Sequence, residues 1–70
     1  MQFREVFEIL NENGFEQTRQ KGSHCQFAGM IGGRKRLVTV ACHKLSDDVK
    51  KGTLASIRRQ SGLSKKAFRK

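Results

Sequence analysis

A glycine followed at once by an apolar residue occurs at Gly14-Phe15 and again at Gly62-Leu63, each time at the end of an amphipathic stretch. Upstream of the first, Phe3, Val6, Phe7 and Leu10 fall at i, i+3, i+4 and i+7, which places them on one face of a helix over 2–13. Gly14 supplies the left-handed residue that closes such a helix, and Phe15 can fold back onto Leu10. Upstream of the second, Leu54 and Ile57 point inward from a helix over 50–61 that carries Arg58 and Arg59 near its end. Ser46, Asp47 and Asp48 are available as its N-caps. Two helices at the ends of the chain leave the middle to form the sheet.

That middle supplies three strand candidates. Residues 15–20 alternate weakly and read as a short peripheral strand. Gly22 turns the chain out of it. Over 23–28, Cys25 and Phe27 share one face while His24 and Gln26 share the other, because side chains alternate with period two. Residues 28–35, with three glycines and the basic pair Arg34-Lys35, read as a flexible connection. The run Leu37-Val38-Thr39-Val40-Ala41 is the strongest strand, with Val38 and Val40 on the core side. Residues 42–51 are a polar crossover. After Gly62, Ser64 can cap one more turn carrying Ala67 and Phe68, and Lys65, Lys66, Arg69 and Lys70 make a terminal basic patch.

The order is α-β-β-β-α in a single domain spanning 1–70: an α+β fold whose three-stranded antiparallel meander carries both helices on one face. A chain this small buries only about 60% of its unfolded surface, which argues against a large enclosed pocket. The other sheet face stays open. On it the alternation places His24, with Arg19, Lys21 and Arg36 expected around the rim. Phe3, Phe7, Phe15 and Phe27 follow the core pattern and are not a base-stacking platform.

Charge decides what such a face meets. Lys and Arg number 15 against 6 Asp and Glu, a formal charge of +9 spread from Arg4 to Lys70. An excess of this kind attracts polyanions by counterion release, and nucleic acid leads the candidates. A membrane is set aside: no apolar run approaches the roughly 20 residues of a spanning helix, and the start of the chain lacks the pattern of a signal peptide. The expectation is a soluble cytoplasmic protein, in which Cys25 and Cys42 stay as free thiols.

A histidine exposed on a sheet beside a hydroxyl and a lysine fits metal-independent RNA cleavage. Imidazole takes the 2′-OH proton, and the oxygen attacks its own phosphate to give a 2′,3′-cyclic phosphate and a free 5′-OH. Histidine side chains titrate near ~6.5, so imidazole serves as acid or base close to neutral pH. Lys21 would offset charge on the phosphorane, and Gly22 would let the backbone approach closely. A zinc site built on His24, Cys25, Cys42 and His43 is disfavoured, because adjacent strand residues point to opposite faces and no Cys-x₂₋₄-Cys knuckle exists. Cys25 as a nucleophile conflicts with its inward direction.

The succession Asn13-Gly14-Phe15, Arg19-Gln20-Lys21-Gly22-Ser23-His24, Val38-Thr39-Val40, Gly52-Thr53-Leu54-Ala55-Ser56-Ile57 and Gln60-Ser61-Gly62-Leu63 resembles the HicA-type toxins of toxin–antitoxin pairs over nearly the whole chain. The resemblance implies a double-stranded-RNA-binding-domain-like fold and an endoribonuclease that cleaves mRNA independently of translation, arrests growth, and is neutralised by a HicB-type antitoxin covering its active site; with the histidine chemistry above, no cofactor is expected. It maps the catalytic histidine onto His24, with Gly22 and Ser23 as motif neighbours. Ser23 and Lys21 are the expected supporting groups, and Arg19, Lys21, Arg34, Lys35, Arg36, Arg58 and Arg59 the expected RNA-binding residues. The chain departs from the family in lacking a proline at Ala41-Cys42 and in its glycine-rich segment 28–33. The alternative is a non-catalytic RNA-binding module that reads A-form shape with the same fold; a purely structural interaction domain would show little salt-dependent RNA affinity.

Overall fold

The computed structural model describes residues 1–42 and 44–68. Its elements run α1 (Phe3–Glu12), β1 (Glu16–Lys21), β2 (His24–Ile31), β3 (Arg34–Ala41) and α2 (Lys51–Ser61), followed by a 3₁₀ turn at Lys65–Phe68. The strands form one antiparallel sheet in the order β1-β2-β3, with the two helices on one face, as the apolar pattern requires.

Both glycine stops behave as expected. Gly14 has φ 86°, and the Phe15 amide donates to the Leu10 carbonyl at 2.9 Å, closing α1 in a Schellman ending. Gly62 has φ 73°, and its amide donates to the Arg58 carbonyl at 3.1 Å. Between them lies a core of Val6, Ile9 and Leu10 from α1, Phe15, Cys25 and Phe27, Val38 and Val40 from β3, Ile57 from α2, and Phe68 from the terminal turn. Phe7 meets Phe27 edge to face, with ring centroids 5.0 Å apart. Ser61 is wholly buried, but its hydroxyl donates to the Arg58 carbonyl and accepts the Leu63 amide, so its polarity is satisfied within the helix ending.

The segment expected to be a flexible connection is a tight hairpin. β2 continues to Ile31 and pairs with β3 down to Arg34, leaving only Gly32 and Gly33 as the loop. Their φ values of 61° and 78° are what a type I′ turn demands. The third glycine has a different reason: a Cβ on Gly29 would sit 2.8 Å from the Phe15 ring, so Gly29 is the notch in β2 into which Phe15 packs.

The crossover also differs from expectation. Ser46, Asp47 and Asp48 do not cap α2, whose N-cap is Lys50, with no side-chain capping bond among the described residues. The segment instead serves α1, whose first amides would otherwise be orphaned. The Phe3 amide donates to the Asp47 carbonyl and the Arg4 amide to the Leu45 carbonyl, each at 3.0 Å. Gln2 pairs with Asp48 in an isolated bridge.

The expectation of free thiols is corrected: Cys25 and Cys42 are joined in a disulfide, their Cα atoms 5.9 Å apart. Compartment arguments address whether a bond persists, not whether two residues meet. Here both side chains fall on the core face of neighbouring strand ends. His43, Arg69 and Lys70, named above for the zinc reading and the terminal patch, lie outside the described residues.

Candidate nucleic-acid interface on the open sheet face

The turn Gly22-Ser23 joins β1 to β2, with Gly22 at φ 59° in the first turn position. It makes Lys21 and His24 directly opposed partners. The next pair on the same face is Arg19 with Gln26, and Gln26 in turn opposes Thr39 on β3. Arg19, Lys21, His24, Gln26 and Thr39 line one open depression of about 560 Å³. All five carry polar or cationic groups, and all but the half-buried Gln26 are exposed.

Simple alternation would not put Arg19 and Lys21 there. Phe15 is buried and Gln17 pairs with the buried Phe27, so unbroken period two would carry residues 19 and 21 to the core side as well. The register shifts between Gln17 and Arg19, where Thr18 is the extra residue of a β-bulge. From that point Gln20 opposes Cys25 on the core side, while Arg19 and Lys21 turn outward. The Thr18 hydroxyl donates to the Gln26 carbonyl at 3.3 Å and ties the bulge to the neighbouring strand.

The other sequence-derived site residues scatter. Ser23 sits in the turn and does not line the depression; its carbonyl accepts the Cys42 amide at 2.7 Å. Lys35 opposes Met30 at the far end of the open face, and Arg34 closes the Gly32-Gly33 hairpin beside it. Arg58 and Arg59 lie in the last turn of α2, outside the depression. Arg36 departs from the expected rim: it shares parity with Val38 and Val40, so its side chain turns to the helix side. There its guanidinium packs over Gly62 at the C-terminal end of α2, where a cation is favoured, and its Nε is buried with no partner among the described residues.

Gln26 and Thr39 line the depression, although charge and motif reasoning assigned them no role. Alternation alone could have found them, since both share the His24 face. Thr39 is also anchored from behind, because the Gln60 side-chain oxygen accepts its amide at 3.1 Å on the outer edge of β3. Beyond the depression the open face becomes apolar, with Ala28 opposite Leu37 and Met30 nearby. Leu37 and Met30, 55% and 62% exposed, neighbour each other diagonally on that face. No group of His, Cys, Asp and Glu with metal-ligating geometry occurs among the described residues. Nor is any helix among them long and apolar enough to cross a membrane.

The fold and site thus define a small basic domain, an open antiparallel sheet backed by two helices with one imidazole and two cations in a shallow polar depression. The model of the HicA toxins of bacterial toxin–antitoxin systems matches residues 3–63, and the chain belongs to that family. Comparison with individual curated proteins finds no match. The match spans every element from α1 through the α2 ending, so the fold and the depression lie within it.

Proposed function

We propose that this toxin is an endoribonuclease of mRNA whose cleavage centre is the depression around His24. The observation that carries the reading is the convergence of His24, Lys21 and Arg19 on one open face, brought about by a two-residue turn and a bulge. His24 takes the 2′-OH proton. The freed oxygen attacks the adjacent phosphorus, and the 5′-oxygen leaves with a proton from imidazolium or water. Lys21, opposite His24, and Arg19, one pair further on, offset the charge that grows on the phosphorane. Gln26 and Thr39 offer hydrogen bonds to ribose or phosphate oxygens. Lys35 and Arg34 add a separate basic pair at the far end of the sheet, beyond Leu37, while Arg58 and Arg59 add long-range attraction from the α2 end. The chemistry runs on these side chains without a metal.

The cognate partner of this reading is a HicB-type antitoxin that covers the open face. Leu37 and Met30 would give it an apolar hold next to the depression, so one protein surface could block His24 and bury the patch together.

Labelled RNA incubated with the protein in excess chelator tests the reading. Fragments ending in 2′,3′-cyclic phosphate are expected. Salt-dependent binding without any product would instead establish the non-catalytic RNA-binding module, which the same basic surface serves equally well.

A further inference from the structure

Cys25 opposes Val40, His24 opposes Ala41, and the Cys42 amide donates to the Ser23 carbonyl. The His24 rung therefore lies between the rung that carries Cys25 and the one that carries Cys42. Both sulfurs are on the core face and the imidazole is on the open face, so the disulfide crosses diagonally beneath the rung of His24. Cys25 is 2% exposed, whereas Cys42 is half-buried just past the end of β3. Cys42 is thus the more exposed residue of the pair, and Cys25 is held in the core.

We infer that Cys25 and Cys42 form a thiol-modification site, a reversible clamp whose oxidation state governs how firmly the His24 end of the sheet is held. The inference rests on His24 being the cleavage centre only for its effect on activity, not for the clamp itself. Closure uses a hydroperoxide. The Cys42 thiolate attacks the peroxide oxygen, the O–O bond breaks, and an alcohol leaves with a proton as Cys42 becomes a sulfenic acid. The Cys25 thiol then attacks that sulfur, the S–S bond forms, and the sulfenic oxygen departs as water. Opening uses a dithiol. One of its thiolates attacks Cys42 Sγ, Cys25 leaves and is protonated, and the second thiol displaces Cys42 as the reductant closes to its own disulfide. The +9 surface also draws in anionic thiols such as glutathione.

Mechanical leverage at this position is large. The two cysteines are 17 residues apart in sequence, so the bond constrains the β2–β3 unit in the unfolded chain, and a domain this small has little other stability to spare. Without the bond, the last rungs of β3 keep only their ladder hydrogen bonds and the packing of Val40, and strand ends fray first.

The full chain is equilibrated in glutathione buffers of stepped potential, alkylated to count thiols by mass, melted, and assayed on RNA midway between the two melting temperatures. Both thiols should disappear together in a single two-electron transition. The reduced protein should melt about 10 °C lower or more, and cleavage should fall several-fold at the assay temperature. Cys42→Ser should melt like the reduced wild type in every buffer; if that variant fails to fold, the wild-type titration decides alone. Two thiols alkylated throughout, or a disulfide that forms without moving the melting temperature, would overturn the clamp. A thiol transition and melting shift with no RNA cleavage in either state would leave the clamp standing and remove the ribonuclease reading.

Discussion

Lys21 and His24 face each other across the Gly22-Ser23 turn as the last residue of β1 and the first of β2. Directly opposed residues of an antiparallel pair hold their Cβ atoms about 4.5–5.5 Å apart, so the ammonium and the imidazole can reach the same phosphate. Rigid strands on both sides of the turn set this relationship, and catalytic geometry benefits from such support.

Lys21→Ala should therefore lower RNA cleavage by on the order of 10²-fold while leaving the fold intact, since the side chain is exposed. Lys21→Arg should recover part of the loss by restoring the charge. Single-turnover cleavage with saturating protein separates this effect from weaker binding, and an unchanged rate in Lys21→Ala would remove Lys21 from the site.

Deletion of Thr18 makes a less intuitive case. Removing the extra residue straightens β1 but keeps Arg19 opposite Gln26 and Lys21 opposite His24, so both cations still face outward. Cleavage should stay within several-fold of wild type. Inserting one alanine between Arg19 and Gln20 should flip Lys21 or break its pairing, with loss of most activity. Equal damage from both changes would contradict the register described for β1.

Gly29→Ala drives a methyl group into the Phe15 ring and should cost about 1–3 kcal/mol in urea unfolding. Phe15→Leu in the same chain relieves the contact, so the double variant should be more stable than the sum of the two single losses predicts. Strict additivity would contradict the packing described for this notch.

Much of the fold was legible because it rests on local chemistry. The Gly14-Phe15 and Gly62-Leu63 endings, the alternation of Cys25 and Phe27 against His24 and Gln26, and the Val38-Val40 core side all follow from periodicity and turn geometry. What escaped depends on contacts between distant segments. Gly29 reads as a loop residue until the Phe15 ring is placed against it. Asp47 reads as a helix cap until its carbonyl is seen taking the Phe3 amide. The direction of Lys21 is hidden by a bulge that no single residue announces, and Arg36 turns inward because its parity is that of Val38. The disulfide escapes reasoning from compartment, because Cys25 and Cys42 lie two rungs apart on one face, a relation fixed only when β3 is aligned with β2.

The most direct measurement is the rate of RNA cleavage, in chelator, by wild type and by His24→Ala matched for melting temperature. On the proposed role of His24 as general acid–base group, the substitution should slow cleavage by about 10²–10⁴-fold, with RNA affinity and thermal stability nearly unchanged because the imidazole faces solvent. Undiminished cleavage by a folded His24→Ala protein would contradict the account.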